Sequence, residues 1–122
     1  MKTVRKSHNF RELHVWRRAR AFVVVVYEMT KSFPKEELFG LTQQIRRCVV
    51  SIPSNIAEGC GRGTDRQLVQ FLDVAHGSAC ELETQLYLAF DLKYLSEPTH
   101  LSALNEVNAI QKMILGFRST LL

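Results

Sequence analysis

Apolar side chains recur along this chain at helical spacing. Between residues 13 and 33 they fall at Leu13, Trp16, Phe22, Val23, Val26, Tyr27 and Phe33, a wide stripe on one side of a helix with about 3.6 residues per turn. The valines from 23 to 26 have strand propensity, but the flanking periodicity and the length of the segment favour a helix. Arg17, Arg18 and Glu28 fall off the stripe. Phe33-Pro34 closes it, because the residue before a proline is pushed out of the α region. Residues 35–40 read as a turn, with one helical turn over 36–39. A second stripe follows at Leu41, Ile45, Cys48, Val49, Ile52 and Ile56. Pro53 lies inside it and removes one backbone hydrogen bond, while the stripe keeps its phase from Ile52 to Ile56. The expectation is a continuous second helix kinked at Pro53.

Gly59-Cys60-Gly61-Arg62-Gly63 is a helix stop, and Thr64-Asp65-Arg66-Gln67 after it has the form of a capping box. A third stripe runs through Leu68, Phe71, Leu72, Ala75, Ala79, Leu82 and Leu86 to about residue 95. Ser96-Glu97-Pro98 breaks it, with Pro98 suited to the first turn of a fourth helix striped by Leu104, Val107, Ile110, Ile114, Phe117 and Leu121. Four helices of similar length on short connections predict an all-α, antiparallel up-and-down four-helix bundle. Residues 10–122 form that bundle, and residues 1–9, polar and without periodicity, are expected to be a flexible basic arm. At 122 residues a single domain buries roughly two-thirds of the surface of its unfolded chain and needs no disulfide or metal staple.

Charge changes the picture more than composition does. Residues 1–35 carry nine Lys/Arg against two glutamates, whereas residues 36–97 carry five basic and nine acidic side chains. A basic N-terminal third beside an acidic middle fits a nucleic-acid footprint, head-to-tail contacts between copies, or plain solvated surface. No segment approaches the roughly 20 apolar residues of a membrane span. The basic N-terminus is not followed by a signal-type apolar stretch. The three cysteines form no C-x-x-C pair. A cytoplasmic location with reduced thiols is expected. Cys48 and Cys80 read as small core residues, and Cys60, in the glycine string, reads as exposed, with no histidine near any of the three.

The candidate chemistry is thin. Di-metal carboxylate bundles use two E-x-x-H motifs and two further glutamates, and this chain offers a single D-x-x-H at Asp73 and His76. No metal site and no cofactor are expected. The glycine string resembles neither a P-loop nor a dinucleotide fingerprint, and no strand precedes it. A polar stripe is more informative. Arg47, Ser51, Asn55 and Glu58 recur beside the apolar stripe of the second helix, with Arg46 adjoining, and Ser78 and Glu81 stand one turn apart on the third. Glu81 is placed to pair with Arg46 or Arg47 across helices. The stripe reads as a register-fixing network, with a subunit interface or a ligand site as alternatives. Arg11, Arg17, Arg18 and Arg20 at the start of the first helix form the candidate nucleic-acid-binding set, with Trp16 read as core.

Specific residues then carry a resemblance. They are Phe10-x-x-Leu13-x-Val15-Trp16-x-x-Ala19, Tyr27-x-x-Thr30-x-x-Phe33-Pro34, Phe39-Gly40-Leu41-x-x-Gln44-Ile45-Arg46-Arg47, Ser51-Ile52-Pro53-Ser54-Asn55-Ile56-Ala57-Glu58-Gly59, and Phe71-Leu72-x-x-Ala75-x-Gly77-Ser78-x-x-Glu81-Leu82. The chain resembles the four-helix-bundle family named for proteins encoded in intervening sequences of 23S ribosomal RNA genes. The most specific part is residues 51–59. The resemblance implies an up-and-down bundle, a homo-oligomer in the form of a ring-shaped pentamer, and no defined enzymatic activity. A related branch includes a basic accessory protein of diversity-generating retroelements that binds nucleic acid and a reverse transcriptase. The functional expectation is a non-enzymatic oligomeric module binding RNA, DNA or a nucleic-acid-handling protein through its basic first helix, with a purely structural self-assembling protein as the alternative.

Overall fold

A computed structural model describes residues 8–122. The expected arm at residues 1–9 therefore lies mostly outside the described residues. Of its last two positions, His8 sets its ring edge-on to Phe117 at 5.4 Å, and the Asn9 side chain accepts from the Arg11 amide. A single 3-10 turn, Phe10–Glu12, leads into α1 (His14–Thr30). A second 3-10 turn, Lys35–Glu37, precedes α2 (Leu41–Cys60), and α3 (Asp65–Asp91) and α4 (Glu97–Ser119) complete the chain. Among the described residues there is no strand. α2 packs most extensively on α3, then α3 on α4 and α1 on α2, while α1 packs on α4 least and the backbones of the diagonal pairs stay apart. Each helix thus neighbours the one before it, and the arrangement is the up-and-down bundle that the four stripes predict.

The stripes account for the core. Ile45, Val49, Ile52 and Ile56 of α2 face Leu68, Leu72, Leu82 and Leu86 of α3 and Ile110 and Ile114 of α4, all fully buried. Burial of each such side chain contributes about 1.5–3 kcal/mol. α2 runs unbroken across Pro53, as the constant phase of its stripe requires. The bend expected there stays an expectation, resting on the hydrogen bond that proline cannot donate. On α1 the buried line is Val15, Ala19, Phe22, Val26 and Thr30. Tyr27, expected in the core, is exposed, and Trp16 is only half-buried. The first two turns of α1 bury the smaller Val15 and Ala19, and Phe22 is the aromatic ring of α1 that enters the core.

The helix ends follow local chemistry. Gly40 precedes α2 and has no side chain to cap it, so the Glu37 carboxylate accepts from the Leu41 amide at 3.2 Å. Its other oxygen accepts from the Tyr94 hydroxyl at 2.8 Å, tying the α1–α2 turn to the α3–α4 loop. Thr64 caps α3 by accepting from the Gln67 amide, and Ser96 caps α4 by accepting from that of Thr99. α3 ends at Asp91, four residues before the expected Leu95. Lys93 there adopts φ 66°, and Tyr94 and Lys93 return amide bonds to the carbonyls of Ala89 and Phe90. This is a Schellman stop without the usual glycine.

Gly59 has a different role. A Cβ at that position would meet Leu68 Cδ1 and Phe71 Cβ, each at 2.8 Å. The absent side chain lets the end of α2 lie against the start of α3. Gly77, midway along α3, has open space around its Cα. Gly59→Ala should destabilise the protein by about 1–3 kcal/mol through overpacking. Gly77→Ala should stabilise the isolated protomer by about 0.5–1 kcal/mol through helix propensity. Urea denaturation of the two variants checks this, and equal or reversed shifts would contradict the packing described.

Candidate functional site

Two regions are candidates for a site: one end of the bundle, and a seam on the α2–α3 face. The end is assembled by the antiparallel path. His8 meets Phe117 at the end of α4, and a depression of about 320 Å³ is lined by His8, Phe10 and Arg11 on one side and Ala57, Cys60 and Gly61 on the other. Arg118 of α4 holds Asp73 of α3 at 2.6 Å. The start of α1, the end of α2, the start of α3 and the end of α4 are therefore neighbours. Residues 8–20, 57–73 and 111–122, which form this half, carry eight Lys/Arg against four Asp/Glu. The remaining described residues carry five against eight. The charge asymmetry along the sequence becomes a separation along the bundle axis, net +4 on one half and −3 on the other. The positive helix N-termini of α1 and α3 add to the basic half.

The four candidate arginines are not equivalent. Arg18 makes a two-pronged bond to Glu106 of α4 at 2.9 and 3.0 Å, which holds its guanidinium above its ordinary pKa and neutralises its charge. Arg17 donates from Nε to the Arg11 carbonyl at 2.8 Å and so braces the 3-10 turn. Arg11 lies over the Phe10 ring at 4.6 Å and Arg20 over Trp16 at 5.4 Å, keeping their charges at the surface. Phe10 and Trp16 in turn meet edge-on at 5.1 Å. Arg11, Arg17 and Arg20 thus form the outward basic set, and Arg18 belongs to the α1–α4 contact.

The seam divides the expected polar stripe. Ser51 and Ser78 share a hydrogen bond of 2.7 Å between α2 and α3, and Asn55 donates to the Ser51 carbonyl and hydroxyl at 2.8 and 3.0 Å. Glu81 accepts from the Cys48 thiol at 2.8 Å and from Gln85 at 3.3 Å. Arg47 lines the same depression, of about 390 Å³, with Gln44, Cys48, Ser51, Ser78 and Glu81. Arg46, one residue before it, turns to α1: it donates to Thr30 Oγ1 at 2.9 Å and to the Tyr27 carbonyl, with its guanidinium over the Tyr27 ring. A rotation of about 100° per residue separates the two arginines into different grooves, so the expected pairing with Glu81 does not form for Arg46, and among the described residues Arg47 makes no ion pair with Glu81 either. Glu58 is also apart, bound to Arg62 at 3.1 Å on the same helix. Gln44, Cys48 and Gln85 belong to the seam although the sequence did not single them out as polar partners. Their positions beside Arg47 and one turn beyond Glu81 were the available signal.

The thiols are distributed otherwise than expected. Cys60 is buried at the end of α2 and Cys80 is exposed. Cys80 Sγ lies 3.9 Å from His76 Nδ1, an i,i+4 pair on one face of α3 that corrects the reading of the cysteines as having no histidine nearby. The pKa of Cys48 is pushed up to about 12, first by burial, then by the hydrogen bond to Glu81 and its negative charge. It stays a protonated donor at neutral pH and is no nucleophile. Asp73 and His76 do not converge, since Asp73 serves Arg118. Among the described residues no group of three or more His, Cys, Asp or Glu could hold a metal ion. At the glycine string, Arg62 folds back to Glu58 and over Phe71, and the Gln67 amide is taken by Thr64. This is a helix stop followed by a cap, with little left for an anion. No described helix is long and apolar enough to cross a membrane.

The raised Cys48 pKa fixes the sign of a pH effect. The thiol favours the folded state below its unfolded pKa near 9.0, and that contribution is lost as pH climbs from there toward 12. In the native protein at pH 8 to 10, iodoacetamide should therefore modify Cys80 and spare Cys48 and Cys60, which react only after unfolding. Mass spectrometry of the alkylated peptides checks this. Native alkylation of Cys48 would contradict its hydrogen-bonded, protonated state.

Comparison with known proteins agrees with this architecture. Among curated proteins none matches the sequence. A solved structure of a protein of unknown function from the S23 ribosomal protein family of Bacteroides thetaiotaomicron superposes with a TM-score of 0.80, covering 86% of this chain and 95% of that one. At 24% identity it establishes the fold alone. The sequence family described as 23S rRNA-intervening sequence protein matches residues 11–116, which is nearly the whole chain. On that match, and with the bundle in agreement, the chain belongs to the 23S rRNA-intervening sequence protein family.

Proposed function

We propose that the protein is a non-enzymatic, self-assembling module whose basic end binds the phosphate backbone of RNA or DNA. The observation that carries this reading is the separation of charge along the bundle axis. Arg11, Arg17 and Arg20 stand outward on the basic half, beside the uncapped N-terminus of α1, and none of the three is held by a carboxylate in the described residues. Phosphates are recognised by such positioned cations without base contacts. The three further cations at Lys2, Arg5 and Lys6 precede this end in sequence.

Self-assembly draws on a second observation. α1 exposes Val24 and Val25, at 70% and 54% of their surface, and α4 exposes Leu101, where those two helices pack least. These exposed side chains are the apolar surface that a second copy would cover. A homo-oligomer places several basic ends on one scaffold, so that weak phosphate contacts add through multivalency. Should nucleic-acid binding fail, the same apolar surface supports the purely structural reading.

Titration of fluorescent single-stranded RNA at several salt concentrations, on protein whose mass in solution is fixed by light scattering, tests both parts. Binding should weaken with salt. Arg11→Gln, Arg17→Gln and Arg20→Gln combined should flatten the log–log slope by roughly 2, at about 0.7 for each phosphate no longer neutralised. Arg18→Gln alone should leave the slope unchanged. No binding at low salt would remove the nucleic-acid role, and a strict monomer would remove self-assembly.

A further inference from the structure

We infer that the depression between α2 and α3 binds a small zwitterion of the α-amino-acid type, through Arg47 on its oxyanion and Glu81 on its ammonium. The inference concerns the side of the bundle and does not rest on nucleic-acid binding at its end. The depression, about 390 Å³, is an open groove lined by polar side chains of both helices. The carrying observation is a pair of opposite charges that line one depression and do not pair. Among the described residues neither Arg47 nor Glu81 takes part in a salt bridge. Arg47 makes no hydrogen bond there either, whereas its neighbour Arg46 is fully engaged with α1.

Glu81 is held in place from below. Its Oε2 accepts from both the buried Cys48 thiol and the amide of Gln85, itself only 4% exposed. Its Oε1 receives no hydrogen bond from the described residues and is left to face a cation. The serine pair adds a donor. Ser51 and Ser78 hold two hydroxyl protons, and their shared bond uses one. Asn55 already donates to Ser51, so the second proton is available to an oxyanion beside Arg47. The Gln44 amide completes the lining.

This donor set discriminates by charge. A simple anion would gain Arg47 but meet Glu81, and a simple cation the reverse; only a molecule carrying both charges satisfies both walls. The site is preformed, because the Ser51–Ser78 and Cys48–Glu81 bonds fix α2 against α3 before any ligand arrives. Both charged residues are solvent-exposed, so their attraction is screened and the affinity is on the order of millimolar.

The test is an NMR titration of the full chain with glycine and L-serine, alongside acetate and methylammonium as half-ligands. Backbone amides of residues 47–51 and 78–82 should shift saturably with either amino acid. The half-ligands should bind at least about tenfold more weakly, equivalent to about 1.4 kcal/mol. Arg47→Gln, at an exposed position, should weaken binding by about tenfold or more without altering the melt. Glu81→Gln should do the same, with its thermal melt reporting whether the Cys48 and Gln85 bonds survive. Three results would overturn the inference: no saturable shift up to about 50 mM, well above the expected range; equal binding of acetate; or amino-acid binding unchanged in Arg47→Gln. Concentration-dependent broadening of the same amides without a ligand response would show that a protein partner covers the depression, and would equally exclude it.

Discussion

The contact between α2 and α3 is the constraint on which the other features depend. Ile45, Val49, Ile52 and Ile56 are fully buried, as are Leu68, Leu72, Ala75, Ala79, Leu82 and Leu86 across from them. The two helices can lie this close at their joined ends only because Gly59 offers no Cβ to Leu68 and Phe71. Aliphatic burial supplies the free energy, but it is non-directional and tolerates slippage. Register comes from the polar bonds at the edge of the same contact, Ser51 with Ser78 and Cys48 with Glu81. A one-turn slip of either helix would leave the buried Cys48 thiol without its acceptor, which is costly. The motif in residues 51–59 therefore joins three requirements in one stretch: an apolar stripe, a polar lock and a close approach.

Once α2 and α3 are fixed, the positions of α1 and α4 follow from short connections, and so does the charge distribution. Antiparallel order folds the basic beginning of the chain next to the end of α2 and the end of α4. Local pairs then decide which cations remain outward. Glu106 takes Arg18 and Asp73 takes Arg118, whereas Arg11 and Arg20 rest on aromatic rings, which support a cation without cancelling its charge. The acidic half is tied together differently, by Glu37 capping α2 and accepting from Tyr94. The bundle is a polarised rod, an arrangement that serves electrostatic steering more than stability.

The stripe of α2 could be read almost residue by residue, because large aliphatic side chains at helical spacing have few other uses. That of α1 was read less well. Its buried line includes Ala19 and Thr30, a small and a polar residue with weak hydropathic signal, and Val15, while Trp16 and Tyr27 drew attention by size. The cysteines exchanged places for similar reasons. Cys60 sits among glycines, yet the missing side chain at Gly59 draws that end of α2 into the core; Cys80 is one position past the buried Ala79 and so faces outward. Lys93 in the left-handed region carries no mark in the sequence of the stop it forms. At the seam, periodicity placed Arg47 and Ser51 on one side of α2, but spacing along one helix does not say which groove an arginine enters. The separation of Arg46 from Arg47 needed the neighbouring helices.

If the α2–α3 contact carries the structure, it should also be the last part to open. Native-state hydrogen exchange reads this directly, since amides in the most stable unit exchange only through global unfolding. The account predicts the slowest exchange at residues 45–56 and 68–86, with α1 and the second half of α4 opening earlier. Slowest exchange in α1, or protection spread evenly over all four helices, would contradict it.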